Sequence, residues 1–462
     1  MSRKCGGVSI VRADLQERLV CVRIVDGIVE SIDSSRPDRS DEVIDARGAA
    51  LLPGLHDHHL HLAALGASLS SVDLSASWRT SAEVSAALRS ASGVGWVRAV
   101  GYHESVIGPL DRYALDAIVA DRPVRVQHRS GVEWVLNSQA VEMVQLDGIR
   151  HPGVERDDHD RPTGRVRGLD TQLRSRWSEG SLDLAPVGAL LAGFGVTGVT
   201  DATPYESIDD VMVLAGAVPQ RVMVMGAPPL DVSRVPHGLQ VGPAKIVVGD
   251  HALPTVDELV AAMRVARRKE RAVAVHCVTR VALILALAAW DEVGSREGDR
   301  IEHGAIIDAE LAARVHELGL VVVTQPNFVA ERGDRYLDEV DPADLDHLYP
   351  CGSLLAAGTR VGGSTDAPFG RPDPWAAMRA AVARVAPDGR PVGPHERIGA
   401  RAAMDLFLSS PESPGGPVRR VAIGHAADLC VLDRPLAAAL GSLQPSVVVT
   451  MVGGRIVHRD PR

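Results

Sequence analysis

The chain has 462 residues, too many for one small domain, and 45% of them are hydrophobic, enough for a sizeable core. Aromatic residues make up only 3%, so that core must be built mostly from Val, Leu, Ala and Ile. A net charge of −10 without a basic tract argues against nucleic-acid binding, and no run approaches the ~20 apolar residues of a membrane span.

Cys5, Cys21, Cys277, Cys351 and Cys430 are scattered and odd in number, with no C-x-x-C spacing. That pattern suits a reducing compartment better than a disulfide scaffold. Arg12, Asp14, Glu17 and Arg18 break up any apolar leader. The expected location is cytoplasmic.

In chain order, Leu19–Val25, the Asp26-Gly27 turn and Ile28–Ile32 read as a β-hairpin. The other end has the same texture, with Asp428–Asp433, Val447–Val452, Gly453-Gly454 and Arg455–Val457. One β-sandwich domain composed of both termini, residues 1–52 plus 416–462, is therefore expected. Ala49–Leu52 reads as a buried strand ending at Leu55, and it leads into Pro53-Gly54-Leu55-His56-Asp57-His58-His59-Leu60-His61. Residues two apart in an extended segment face the same way, so His59 and His61 can reach one metal ion.

Residues 68–185 form a long insertion after that strand, expected to act as a lid or pocket wall. Tyr102, His103, His128 and Trp134 are its candidate substrate contacts. From residue 190 strands and helices alternate. The strands are Val196–Thr200, Arg221–Met225, Lys245–Val248, Val273–His276, Arg300–His303, Leu320–Thr324 and Thr359–Gly363. A capping box at Thr255 and Glu258 opens one helix, and Asp308 opens another that Gly319 closes. With the first strand these make eight, so residues 53–415 are expected to form an α/β fold, a (β/α)8 TIM barrel.

Placed on those strands, His59, His61, Lys245, His276, His303 and Asp366 fall at or near strand ends and can converge on one face. Taken singly, each has a bland reading as a core histidine, a salt-bridged lysine or a turn former. Five ligand-type residues at strand ends, in one frame of strands, argue against independent bland roles.

These residues are also where the chain resembles the metal-dependent amidohydrolase superfamily. Pro53–His61 is similar to its H-x-H signature. Val196–Asp201, Arg300–His303 and Gly363–Pro368 are similar to its second, sixth and eighth strands, and Gly424–Asp433 to its return into the β domain. The insertion, with Trp134 and Asn137-Ser138, most resembles the branch of N-substituted formamide deformylases and D-aminoacylase relatives. The resemblance implies two divalent ions, usually zinc. His59, His61 and Asp366 would hold one ion, and His276 and His303 the other. Lys245, carboxylated by CO2, would bridge them. It further implies a hydrolase that cleaves a non-peptide C–N bond in an amide, formamide, carbamate or cyclic amide. A metal-bridging hydroxide would attack, with Asp366 as the catalytic proton carrier. The expected partner is a small-molecule substrate, with no nucleic acid and no membrane, and a homo-oligomer is left open.

Three departures from that branch concern substrate contacts: Cys277–Arg280 after the fifth-strand histidine, Val132 after Gly131, and the order Val248-Gly249-Asp250. A mononuclear deaminase of the same fold is the main alternative. It would need a glutamate just past His276, and it would leave Lys245 without a role. A non-catalytic scaffold of this fold should lack ligands, and none is missing.

Overall fold

The computed structural model describes residues 7–33, 37–74, 80–91, 95–169, 172–173, 176, 183–249 and 253–461. Cys5 and Asp250 lie outside the described residues. The chain divides into two compact units, Met1–Leu62 with Leu184–Arg462, and the inserted Ala63–Asp183.

The first unit opens with β1 (Val8–Leu15), β2 (Arg18–Val25), β3 (Ile28–Asp33), β4 (Glu42–Asp45) and β5 (Leu51–Pro53). The hairpin predicted at Asp26-Gly27 joins β2 to β3, with Val25 opposite Ile28. β6 (Leu55–Leu60) follows, and here the structure corrects the sequence reading. The strand expected to end at Leu55, with His59 and His61 just past it, is instead the short β5 paired with a C-terminal strand, and the residues from Leu55 form a strand of their own. His59 therefore lies inside a fully buried strand, and only His61 falls past its end. Gly54 separates the two strands because a Cβ there would stand 2.0 Å from Thr197 Cγ2.

The inserted unit is a six-stranded sheet of β7 (Val72–Asp73), β8 (Val97–Tyr102), β9 (Val124–His128), β10 (Glu133–Leu136), β11 (Val154–Arg156) and β12 (Pro162–Arg167), in the order β11-β12-β10-β9-β8-β7. Leu88, Val97, Leu115 and Val126 fill one core of this unit, and Trp134, Leu136, Leu146 and Val166 a second. Asn137 ties its connections together. Its amide oxygen accepts from Val124 N at 2.9 Å and from Ala140 N at 3.0 Å, and its NH2 donates to Val119 O and Arg122 O.

The chain returns to the first unit with β13 (Val196–Asp201), β14 (Arg221–Val224), β15 (Leu239–Val241), β16 (Ala244–Val247), β17 (Val273–Cys277), β18 (Arg300–His303), β19 (Val321–Thr324) and β20 (Arg360–Gly363). Every strand anticipated there is present and every pairing is parallel. The ladders form two sheets, β15-β14-β13-β6 and β16-β17-β18-β19-β20, not one continuous ring. Single hydrogen bonds join them: Lys245 N to Gly226 O at 2.9 Å, Asp366 N to His59 O at 2.9 Å and His61 N to Ala367 O at 2.8 Å. The ladders stop at these seams because the backbone turns sharply there, with positive φ at Gly226 and Asp366. β15 was not anticipated; its three residues are half-buried to exposed.

Helices between the strands begin as their capping residues require. Thr255 Oγ1 accepts from Glu258 N at 3.2 Å while Glu258 accepts from Thr255 N at 2.8 Å, and Asp308 Oδ1 accepts from Leu311 N at 2.9 Å. Finally β21 (Leu429–Leu432), β22 (Val447–Val452) and β23 (Arg455–Arg459) form a sheet with β5, opposite the sheet β3-β2-β1-β4. The two sheets share one core of Ile10, Val22, Ile24, Leu51, Leu429 and Met451. Cys21, Cys277, Cys351 and Cys430 are buried and form no disulfide with one another. Among the described residues, no helix is long and apolar enough to cross a membrane.

Candidate active site

Parallel register gathers the polar residues at one end of the two sheets. Lys245 pairs with Ala274, His276 with Glu302, and Cys277 with His303, so side chains far apart in sequence become neighbours. His59 Nε2 and His61 Nε2 lie 3.5 and 3.4 Å from Asp366 Oδ1, and His303 Nδ1 lies 3.9 Å from Asp366 Oδ2. The His303 ring is 4.8 Å from that of His59 and 4.3 Å from that of His276. His303 and Asp366 both adopt left-handed backbone, at φ 69° and 55°, a strain that recurs where function fixes a side chain. The structure thus brings together His59, His61, His276, His303 and Asp366; Lys245, on the strand paired with that of His276, acts electrostatically on His59 and His303.

Three of the histidines are oriented from behind. His59 Nδ1 bonds Glu302, itself paired with Arg300, whose guanidinium also donates to His58 O at 2.7 Å. His61 Nδ1 meets Thr203 Oγ1 at 2.8 Å, and His303 Nδ1 meets Gln325 Oε1 at 2.8 Å. Asp57 accepts from Thr365 Oγ1 at 2.5 Å and so ties β6 to the Asp366 loop. Asp201 accepts from Leu62 N and Thr203 N, both at 2.9 Å, which fixes the chain just past His61. Sequence reasoning assigned none of these supports. The one local signal was Glu302, a carboxylate adjoining His303 on a strand otherwise destined for burial.

His56 and His58 face elsewhere, to Thr200 Oγ1 at 2.9 Å and Ser409 Oγ at 3.0 Å. Of the departures after His276, Thr279 caps the next helix and Arg280 pairs with Asp308 and Asp344.

The electrostatics suit cations. Burial drives the His59 imidazole down to about 3, with Lys245 acting in the same direction. Burial likewise lowers His276 and His303. Burial alone would raise Asp366, but His61, His303 and His59 hold it below the ordinary carboxylate range. Burial would raise Glu302 too, and Arg300, His59 and Lys245 override it. Neutral imidazoles and ionised carboxylates are the forms that bind metal.

Four buried atoms at the centre have no hydrogen-bond partner: His59 Nε2, Lys245 Nζ, His303 Nε2 and Asp366 Oδ1. Nearly all buried polar atoms in native proteins are paired. Unpaired atoms on two imidazoles, an amine and a carboxylate, with two further imidazoles beside them, fit divalent ions.

Tyr102, His103, His128 and Trp134 belong to the inserted unit. Tyr102 is buried and its hydroxyl donates to Gly108 O at 2.8 Å. Trp134 is buried in that unit's second core, with the Arg125 guanidinium 5.0 Å from its ring. His103 and His128 are partly exposed beside Glu104.

A family model described as "Amidohydrolase family" matches residues 42–458. An N-substituted formamide deformylase of Arthrobacter pascens is 25% identical over 511 residues, covering 94% of this chain and 92% of that protein. Among solved structures, an uncharacterized metal-dependent hydrolase from Pyrococcus furiosus matches with TM-score 0.73 and 24% identity, covering 93% of this chain and 98% of the other. N-isopropylammelide isopropylaminohydrolase from Burkholderia multivorans ATCC 17616 matches with TM-score 0.54 and 16% identity, covering 98% of each chain.

Proposed function

Because the chain belongs to the amidohydrolase family, we propose that it hydrolyses a non-peptide C–N bond with the help of two divalent metal ions. The candidate substrates are amides, formamides, carbamates and cyclic amides. The observation that carries this reading is the set of four unpaired buried atoms on His59, Lys245, His303 and Asp366. In this reading the two parallel sheets act as one (β/α)8 barrel closed by the bonds at its seams, with the ligands at its rim.

His59, His61 and Asp366 would hold one ion, His276 and His303 the other, and Lys245, as a carbamate, would be shared between them. Bound ions of this kind, most often zinc, activate water near neutral pH and polarise a carbonyl oxygen. Asp366 accepts a proton at its carboxylate and returns it to the leaving nitrogen. Glu302, Thr203 and Gln325 keep the imidazoles aimed, a role whose loss weakens metal affinity tenfold to a hundredfold. The scattered buried cysteines favour a cytoplasmic setting.

The test is a panel of N-substituted formamides, simple amides, carbamates and cyclic amides, assayed before and after chelation. We expect activity on at least one class, lost with chelator and restored by Zn2+ or Co2+. His59→Ala with His276→Ala should lower metal content by two ions per chain. Activity indifferent to chelation would sink the proposal.

Substrate choice we assign to the inserted unit, because the chain enters it directly after His61. Substitutions at the partly exposed His103 and His128 are expected to reorder kcat/KM across the panel by about tenfold, the scale of a pocket contact, whereas Tyr102 and Trp134, buried in that unit's cores, would act only through its packing. An unchanged ranking would move that role to the loops after β19 and β20, which include Asn327–Asp334.

A further inference from the structure

We propose that the inserted unit carries a metal site of its own, for a divalent transition ion of the zinc class, on His103, Glu104 and His128. Their ligand atoms lie within 4.8 Å of one another.

The local fold builds the group. β8 and β9 run parallel with Tyr102 opposite His128, so residues just past both strand ends come side by side. Tyr102 pins the turn that carries His103 and Glu104, since its hydroxyl donates to Gly108 O at 2.8 Å and accepts from Leu110 N at 2.9 Å. Its ring stands edge-on to His128 at 5.9 Å. On the far side of His128, Ser130 Oγ lies 2.8 Å from Nδ1. Ser130 N also donates to Nδ1 at 3.1 Å, so binding an ion at Nε2 requires the imidazole proton to move to Nδ1 and be donated to Ser130 Oγ in place of that backbone bond.

The His128 spacing favours an ion over an ion pair, and His103, which stands farther out, would draw in on binding one. His128 Nε2 is 3.4 Å and His103 Nε2 3.9 Å from the same oxygen, Glu104 Oε2. A charge-assisted N–H···O bond is about 2.7–2.9 Å long. Two donors each about 2.0–2.2 Å from a tetrahedral ion stand roughly 3.3–3.6 Å apart. The first centre provides an internal standard, because His59 and His61 stand 3.5 and 3.4 Å from their shared Asp366 oxygen.

Two imidazoles and one carboxylate select zinc, cobalt or nickel over magnesium or calcium. Side-chain exposures of 28% for His103, 40% for Glu104 and 19% for His128 leave a path from solvent. Three protein ligands would leave a fourth tetrahedral position to water.

The test uses the full chain, stripped with chelator and titrated with Zn2+, with bound equivalents counted by calorimetry and elemental analysis. Glu104→Gln with His128→Ala should bind one ion fewer than wild type. His59→Ala with His276→Ala should retain this ion while losing those of the first centre, so failure of either site is read separately. His103→Gln, on its own, should weaken the same binding event tenfold or more. Equal Zn2+ equivalents and affinities in wild type, the Glu104/His128 double variant and His103→Gln would show that Glu104 merely pairs with two imidazoles, and would overturn the proposal.

Discussion

Asp366→Asn is expected to reduce kcat by about 10²–10⁴ with little change in KM, the usual size of a general acid–base contribution. The substitution keeps shape and removes basicity. Asp366 is held on every side: Oδ1 faces His59 and His61, Oδ2 faces His303, and its N–H donates to His59 O at 2.9 Å. The neighbouring imidazoles keep its carboxyl below the ordinary range, so it is ionised and ready to take a proton at neutral pH. An amide cannot do so, and it would turn N–H groups toward nitrogens that need an anion. Turnover and metal content must be measured on the same sample at saturating Zn2+. Near-normal turnover with a full complement of metal would assign the proton to another group.

The sequence revealed the parts of this site that local periodicity encodes. Alternation in His56–His61 shows which histidines share a face, and strand–helix rhythm from residue 190 shows which residues reach strand ends. Boundaries were less visible where two sheets compete for one apolar run. Ala49–Leu52 looks continuous with the histidine strand, yet Leu51 and Leu52 pair with Val431 and Cys430 across the terminal sheet. Nor could local pattern expose the supports. Thr203 meets a histidine 142 residues away and Glu302 one 243 residues away, and only the folded register joins them. β15 escaped because three half-exposed residues carry no burial signal, their strand existing through pairing with β14 alone. In the insertion, Tyr102 and Trp134 look like pocket residues by type, whereas tertiary packing gives both a buried place in that unit's interior.

Lys245→Ala should lower kcat/KM by about a hundredfold or more, at the upper end of what a lost support around a metal costs, and short carboxylic acids such as acetate or propionate should restore part of it. Lys245 is 3% exposed and its Nζ has no hydrogen-bond partner. A permanent ammonium there would repel cations and would carry a desolvation cost that Glu302 and Asp366 offset only in part. Burial brings its pKa down to about 8, so an appreciable share of the amine is neutral near neutral pH. The neutral amine is the form that adds CO2, giving a carbamate anion with release of one proton. The carbamate would put a negative charge where the free amine has none and the ammonium a positive one, and so would give ions held by His59 and His303 an anionic neighbour. Alanine removes that anion and leaves room for a small acid to enter. Protein equilibrated with 13C-labelled CO2 should show one carbamate carbon signal that Lys245→Ala lacks. A metal-replete protein without that signal, or a Lys245→Ala variant of undiminished activity, would leave Lys245 as an ordinary buried amine and remove the bridging anion from the mechanism.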